Sequence, residues 1–204
     1  MRAVVVALGD LGRSARMCYH ARALAASGVD VDLIGLEGTP VPRAILDDPR
    51  IRVHRVAPSA LRHRKGLAGF VYPFAALVDA CRLSFGLWRT LRNVRPPDLV
   101  LVQNPPQFPT LAVAWFSFHR RGVRFVIDWH NLGYTLLGLR LGSWYPAVRL
   151  APWFERRDAR RMDGNLCVSR GLAAFLDSRF GVPGARVLYD RPASVFASID
   201  RPER

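Results

Sequence analysis

Short apolar runs alternate with helical stretches along the whole chain, and this alternation limits the available folds more than any other feature. The segments predicted as strands span residues 3–8, 29–34, 51–56, 99–102, 124–127, 163–168 and 186–188, and the predicted helices include 108–121 and 170–180. Strands separated by helices pair in parallel, because the chain must cross back over the sheet before the next strand begins. The sequence therefore predicts an α/β fold with a doubly wound, Rossmann-like parallel sheet.

The size and composition of the chain fit one globular domain. It has 204 residues, of which 50% are hydrophobic and 23% charged, so disorder and fibrous repeats are excluded. The longest apolar run, 67–78, contains Pro73 and is shorter than the roughly 20 residues of a membrane-spanning helix. Any membrane contact is therefore predicted to be peripheral.

The chain carries a strong excess of positive charge. Its 30 basic and 16 acidic residues give +14, and Lys65 is the only lysine. Arginine binds phosphate oxygens well, so a nucleic acid, an anionic membrane and a pyrophosphate substrate are all candidate partners; the alternative is that most of these charges are simply solvated. The sequence has no aromatic RNA-binding pattern, zinc finger or helix-turn-helix signature, so no nucleic acid partner is predicted. Cys18, Cys81 and Cys167 are far apart and form no C-x-x-C pair, which predicts neither a disulfide framework nor a metal site.

A glycine-containing turn joins the first strand to the first helix. It consists of Gly9, Asp10, Leu11, Gly12, Arg13 and Ser14, and Arg16 follows in the first helical turn. A helix N-terminus flanked by arginines attracts phosphate, whereas the G-x-x-G spacing does not match the dinucleotide fingerprint. The alternative is that the glycines and the serine only make a tight strand-to-helix turn.

Polar residues also follow two later strands. Gln103 and Asn104 come after the fourth strand, and Asp128, His130 and Asn131 come after the fifth. Ligands bind at the carboxyl ends of the strands in such sheets, so these clusters and the first loop are predicted to converge on one rim. A carboxylate, an imidazole and an amide in that place suit proton transfer or recognition of sugar hydroxyls; the alternative is a helix-capping aspartate and an exposed loop histidine. His20, within the first helix, is interpreted as a buried structural histidine.

The segment 61–95 mixes basic and apolar side chains. Arg62, Arg64 and Lys65 precede an apolar stretch that includes Phe70 and Phe74, and Trp88 follows among further arginines. An amphipathic face that lies on an anionic membrane is one hypothesis, and a helix packed on the sheet is the other.

Five blocks taken together resemble the amino-terminal half of the chitobiosyldiphosphodolichol β-mannosyltransferase family, which are glycosyltransferases of the GT-B fold. The blocks are residues 9–17 with Tyr19 and His20, 102–106, 126–134, 166–169, and 189–193 with Phe196. The D-W-H-N-x-G-Y pattern at 128–134 is the most specific of them. Ala15 and Arg191 depart from the family pattern, in which proline and lysine are usual.

The resemblance implies a domain organisation. Residues 1–196 correspond to the acceptor-side, amino-terminal domain of a GT-B enzyme, and 197–204 to the start of a linker to a donor-binding domain that the chain does not contain. The donor site would then be completed by that domain or by a separate chain.

The resemblance also implies a reaction: transfer of mannose from GDP-mannose to the 4-hydroxyl of a GlcNAc2-pyrophosphoryl polyprenol, forming a β-1,4 linkage with inversion and without a metal or other cofactor. Asp128, His130 and Asp10 are the candidate general bases, and Arg13, Arg16 and the first helix N-terminus are candidates to hold a pyrophosphate. The other candidate substrate-binding residues are Gly9, Gly12, Ser14, Gln103, Asn104, Asn131 and Tyr134.

Such an enzyme would lie on the cytoplasmic side of a membrane as a peripheral protein, at the endoplasmic reticulum in a eukaryote or the plasma membrane in a bacterium. Its partners would be the polyprenyl-pyrophosphate-linked acceptor and the anionic membrane surface. The alternative function is a non-catalytic module that binds a lipid pyrophosphate or an anionic membrane.

Overall fold

The computed structural model describes residues 1–58, 71–106, 109–119 and 122–190. Seven strands alternate with helices along them. In chain order these elements are β1 (Arg2–Asp10), α1 (Ala15–Ala26), β2 (Asp30–Leu36), α2 (Arg43–Leu46), β3 (Ile51–Val56), α3 (Val71–Asn93), β4 (Leu99–Asn104), α4 (Thr110–Phe118), β5 (Arg124–Trp129), α5 (Gly133–Leu141), α6 (Pro146–Arg161), β6 (Gly164–Cys167), α7 (Arg170–Phe175) and β7 (Arg186–Val187). A 3-10 turn at Leu11–Arg13 links β1 to α1, and a π-helical turn at Leu176–Phe180 extends α7.

The strands form one parallel sheet in the order β3-β2-β1-β4-β5-β6-β7, which confirms the predicted fold class. Three strands are longer than their apolar runs, because backbone pairing continues into the polar residues that follow. Gln103 pairs with Asp128 and Asn104 with Trp129, so these residues end β4 and β5 rather than opening the next loop. The strand ends consequently hold these polar side chains in fixed register.

Helices cover both faces of the sheet. α1 and α2 pack over a core that includes Val5, Met17 and Ile45. α3, α4, α6 and α7 lie on the opposite face, over a second core that includes Val6 and Leu111. The sheet is therefore doubly wound, as the alternation of strands and helices predicts.

α3 is amphipathic. Leu87 and Leu91 are buried in the second core, whereas Leu77 and Phe85 are exposed, and the Arg92 guanidinium lies 4.8 Å from the centre of the half-exposed Trp88 ring. The packed-helix interpretation of 61–95 is therefore confirmed for the carboxyl half of α3, which also presents apolar side chains to solvent. The basic cluster before it and Phe70 lie outside the described residues.

None of the described helices is both long enough and apolar enough to cross a membrane.

Candidate functional site

The candidate site lies at the carboxyl ends of β1, β4 and β5, which are adjacent in the sheet. The chain leaves β1 toward one side of the sheet and β4 toward the other, so this is the point where the winding direction reverses. The Arg16 side chain after β1 contacts Asp128 at the end of β5, and the His130 backbone N–H donates to the Asn104 carbonyl at 2.9 Å. The three polar clusters therefore lie at one rim of the sheet, as the sequence predicts.

The first loop is held by Asp10. Its carboxylate accepts hydrogen bonds from the Thr39 backbone N–H at 2.9 Å and from the Thr39 hydroxyl at 2.8 Å, which joins the loop to the chain after β2. Gly12 is required there for space, because a Cβ atom would overlap the Thr39 carbonyl and lie 2.6 Å from the Pro40 oxygen. Asp10 and Gly12 thus shape the loop, and the base role of Asp10 stays a prediction.

The start of α1 keeps features of an anion site. The Ser14 hydroxyl donates back to the Asp10 carbonyl at 3.1 Å and makes no capping bond to the helix, and the Arg13 side chain is exposed. Gly9 has open space beside it, with the Ser14 hydroxyl 3.8 Å from where a Cβ would stand. Amides at a helix N-terminus together with a nearby guanidinium attract phosphate.

The Arg16 side chain, unlike the exposed Arg13 side chain, is buried and hydrogen-bonded to other protein groups. Its Nε and Nη2 donate to the two oxygens of Asp128 at 2.7 and 2.8 Å, and its Nη1 donates to the Leu188 carbonyl at 2.7 Å and to Asp190 at 2.9 Å. Such a two-pronged pair is the strongest geometry that a guanidinium and a carboxylate can form. The expected contact of Arg16 with phosphate stays a prediction, but the geometry favours a structural role that ties α1 to β5 and to the chain after β7.

His20 joins this pair one helical turn after Arg16. Its Nε2 lies 3.0 Å from Asp128 and must be the donor, because an ionised carboxylate only accepts hydrogen bonds. His20 is largely buried, as the sequence predicts, but it belongs to the site rather than to the apolar core. The four-residue spacing of Arg16 and His20, which places both on one face of α1, is the signal that could have identified the pair.

Asp128 is fully buried and stays ionised. Burial by itself raises its pKa, but the hydrogen bonds and charges of His20 and Arg16 outweigh that effect and lower the pKa from 3.8 to about 2. Burial conversely lowers the pKa of Arg16, and the bonds to Asp128 and Asp190 raise it above its ordinary value. A carboxylate held this strongly is a poor proton acceptor near neutral pH, so the proposed base role of Asp128 stays a prediction that the geometry does not favour.

His130 lies at the edge of a cleft of about 330 Å³. The cleft lies between the start of α5 and the loop before α7; besides His130 and Asn131, its lining includes Thr135, Ser169 and Phe175. The Nε2 atom of His130 is buried and has no hydrogen-bond partner among the described residues. Because buried polar atoms are normally paired, this nitrogen is a place where a ligand hydroxyl or a water molecule would bind.

Asn104 and Gln103 lie beside His130 at the end of β4. Asn104 is buried; its amide donates to the Asn131 carbonyl at 3.4 Å, while its Oδ1 has no partner in the described part of the chain. Gln103 is partly buried at the same edge. Asn104 thus contacts the loop that carries His130 and Asn131, whereas Gln103 pairs with Asp128 across β4 and β5.

Glu155 on α6 was not identified from the sequence. It is buried against the start of α5, where its Oε1 accepts a hydrogen bond from the Tyr134 backbone N–H at 3.2 Å and a Cβ on Gly133 would collide with it. The neighbouring arginines suggest a solvated helix face, but Val148, Glu155 and Ala159 recur at helical spacing and mark the buried stripe. Glu155 fixes the loop that carries His130 and Asn131.

The pKa of Glu155 lies near neutrality. Burial raises it from 4.5 to about 7, although donors at Gly133, Tyr134 and Asn104 act in the opposite direction. Burial, with the nearby Glu155 charge, also raises the pKa of the Tyr134 hydroxyl. Asp128 is therefore ionised at physiological pH, whereas the pKa of Glu155 lies within the physiological range.

Replacing Glu155 with glutamine should remove a pH dependence from stability. In the wild type, the folded state holds its proton until about pH 7 and the unfolded state only until about 4.5, so stability should fall by about 3 kcal/mol between those values. The Glu155→Gln variant should lack this decline when urea unfolding is measured from pH 4 to 8. The exposed Glu37→Gln is the matched control, and identical pH profiles for wild type and Glu155→Gln would contradict the assignment.

Among residues 1–58, 71–106, 109–119 and 122–190, no group of three histidine, cysteine, aspartate or glutamate side chains is arranged to hold a metal ion.

The chain matches known glycosyltransferases over nearly its whole length. Residues 12–189 match the model of the glycosyl transferase 4-like domain. The chain is 43% identical over 198 residues to UDP-glycosyltransferase TURAN of Arabidopsis thaliana, covering 96% of this chain and 42% of that protein. It is 39% and 37% identical to the chitobiosyldiphosphodolichol beta-mannosyltransferases of Yarrowia lipolytica and Homo sapiens, covering 100% and 95% of this chain but 44% and 40% of those proteins. The chain therefore spans less than half the length of these relatives.

Solved structures share the fold at low sequence identity. TcCGT1 in complex with UDP superposes with a TM-score of 0.62 at 11% identity, over 98% of this chain and 53% of that one. Sucrose-phosphate synthase from Thermosynechococcus elongatus gives 0.58 at 14% identity, over 91% of this chain and 46% of that one. The resemblance noted in the sequence is thereby confirmed: the chain belongs to the glycosyl transferase 4-like family of GT-B domains and is a relative of the chitobiosyldiphosphodolichol β-mannosyltransferases.

Proposed function

We propose that this chain is the acceptor-side half of an inverting β-mannosyltransferase. It would bind a GlcNAc2-pyrophosphoryl polyprenol and present its 4-hydroxyl to GDP-mannose held mainly by a donor-binding half. The relatives named for a chitobiosyldiphosphodolichol acceptor support this substrate class. The observation that carries the proposal is the His130 Nε2 atom, which lies beside a cleft at the carboxyl end of β5 and has no hydrogen-bond partner among the described residues.

Each half of the acceptor has a suitable group in this arrangement. Arg13 and the amides at the start of α1 suit the pyrophosphate, since both offer donors to anionic oxygens. Asn104, Asn131 and Gln103 suit sugar hydroxyls, because amides both donate and accept hydrogen bonds. The pyrophosphate and the sugars would then lie along the rim from β1 toward β5.

His130 is the proposed general base. Its Nε2 would take the proton of the acceptor hydroxyl as that oxygen attacks the anomeric carbon of mannose. The bond between that carbon and the diphosphate breaks in the same step, and GDP leaves with the electron pair. Asp128, paired with Arg16 and His20, is proposed to hold the end of β5 in place, so it acts on His130 through the backbone.

The remaining features of the proposal follow from the chemistry of the acceptor. A polyprenol-linked substrate requires a protein at the membrane surface, and we place this one peripherally on the cytoplasmic side. We propose that the donor-binding half stabilises the departing diphosphate and that the reaction proceeds without a metal ion.

A transfer assay tests the proposed function. The chain is incubated with GDP-mannose and a short-chain GlcNAc2-pyrophosphoryl lipid, with and without a donor-binding half from a related enzyme. Mannose transfer is expected only with both halves present. Full activity of the chain alone would overturn the half-enzyme assignment, and acceptor binding without any transfer by the completed pair would identify a binding module instead.

A further inference from the structure

The helical hairpin formed by α5 and α6 presents large apolar side chains to solvent. Trp144, in the connection between the two helices, is 89% exposed, and Leu139 near the end of α5 is 85% exposed. Four more apolar side chains of the hairpin are exposed: Leu136, Leu150, Trp153 and Phe154. We name this set the hairpin face.

Part of the hairpin face is exposed because of how apolar residues are spaced along α6. One side of the helix carries Val148, Glu155 and Ala159 into the fold. Leu150, Trp153 and Phe154 lie on the other side at spacings of three and four residues, so they cannot reach the core. Six large apolar side chains exposed on one short hairpin make it a candidate interaction surface.

The sequence of the hairpin has a strong excess of positive charge. Residues 133–161 contain six arginines, Arg140, Arg149, Arg156, Arg157, Arg160 and Arg161, and only two acidic residues, Glu155 and Asp158, both buried. The Arg157 guanidinium pairs with Asp158 at 2.7 Å and lies 5.4 Å from the Trp153 ring centre and 5.1 Å from that of Phe154, so a guanidinium also contacts the aromatic side chains. Tryptophan beside arginine on an amphipathic helix is the pattern of a helix that lies in the headgroup region of a bilayer.

The hairpin starts at the candidate site. α5 begins at Gly133, three residues after His130, and its nine residues span about 14 Å. Side chains at its far end could therefore enter a membrane while the cleft beside His130 stays close to the headgroups. That placement suits an acceptor whose sugars are attached to a membrane lipid.

We propose that the hairpin face is the surface by which this chain lies on an anionic lipid membrane. The inference builds on the proposed function, since a polyprenol-linked acceptor lies in a membrane. It differs from the membrane hypothesis for 61–95 because the inserting side chains are Leu139, Trp144 and Trp153 rather than those of α3.

Sedimentation with vesicles that contain no polyprenyl lipid tests this surface separately from mannose transfer. The chain should bind vesicles of phosphatidylcholine with phosphatidylserine, bind phosphatidylcholine alone more weakly, and dissociate with added salt. Leu139→Ser with Trp144→Ser should weaken binding by about tenfold or more, because two exposed side chains lose their burial in lipid. Arg149→Gln with Arg156→Gln should weaken it by about fivefold for each arginine.

Two matched variants decide between surfaces. Phe116→Ser removes an aromatic side chain that is 70% exposed on α4, and it should leave vesicle binding unchanged. Trp88→Ser tests whether the exposed side of α3 binds the membrane instead, and it should likewise leave vesicle binding unchanged. The proposal is overturned if the Leu139→Ser, Trp144→Ser variant binds vesicles as the wild type does. It is also overturned if this variant still binds vesicles but no longer associates with a donor-binding half. Quenching of tryptophan fluorescence by brominated lipid, reduced in Trp144→Phe, is the expected sign of insertion.

Discussion

Replacing Arg16 with alanine should lower the free energy of unfolding by about 3–5 kcal/mol. The variant leaves Asp128 fully buried with His20 as its remaining partner among the described residues, and a buried charge that loses its ion pair is among the costliest defects in a folded protein. Urea unfolding at pH 7 measures the loss. The exposed neighbour Arg13→Ala is the matched control and should change stability by no more than about 0.5 kcal/mol.

The same pair should give the protein a characteristic acid sensitivity. The folded pKa of Asp128, about 2, lies below its ordinary value of 3.8, so its stabilisation is present above pH 3.8 and is lost as the pH falls toward 2. The contribution is about 2 kcal/mol. A loss of less than about 1 kcal/mol for Arg16→Ala, with unchanged acid unfolding, would show that the ion pair is not the element that holds α1 to β5.

Replacing His130 with alanine should lower kcat by roughly 100-fold to 10,000-fold in the completed enzyme, because the acceptor hydroxyl loses its proton acceptor. The unfolding midpoint should change little, since the His130 Nε2 has no partner among the described residues. Transfer kinetics and urea unfolding of the same variant give the two readouts. His54→Ala, at the edge strand β3, is the matched control and should keep normal turnover.

Variants of the other two candidate bases, Asp128 and Asp10, complete this test. Asp128→Asn is now expected to cost stability as well as turnover, because the structure gives it a buried ion pair that the sequence did not reveal. Asp10→Asn should chiefly loosen the contact with Thr39. If His130→Ala keeps wild-type turnover and Asp10→Asn does not, the base lies in the first loop and the assignment of His130 is wrong.

The test of the membrane proposal and the test of the transfer proposal have independent outcomes. Vesicle binding without transfer would leave the hairpin face supported and the reaction refuted, and transfer to a soluble acceptor without vesicle binding would do the reverse. The variants at Leu139 and Trp144 lie outside the candidate site, so they should keep normal kcat with a short-chain acceptor in solution.

The fold could be predicted from local patterns because most of the central strands contain an apolar run and all are separated by turn residues and helical stretches; β3, which alternates polar and apolar residues, is an edge strand. Parallel strands with helices between them leave few topologies, and the observed strand order is one of the common ones. The ends of β1, β4 and β5 were harder to predict. Pairing between strands extends them into Asp10, Asn104 and Trp129, and no local pattern encodes a neighbour's hydrogen bonds.

The sequence by itself determined the fold class and the place of the candidate site, since both follow from apolar periodicity and from the polar residues that end the strands. Only the tertiary structure decided what those residues contact. Arg16 and Asp128 are 112 positions apart, yet they form one buried pair, and the charge on Glu155 depends on amides of another helix. Distance along the chain carries no information about such contacts, whereas burial and pairing in the folded state set the charge and pKa of each group.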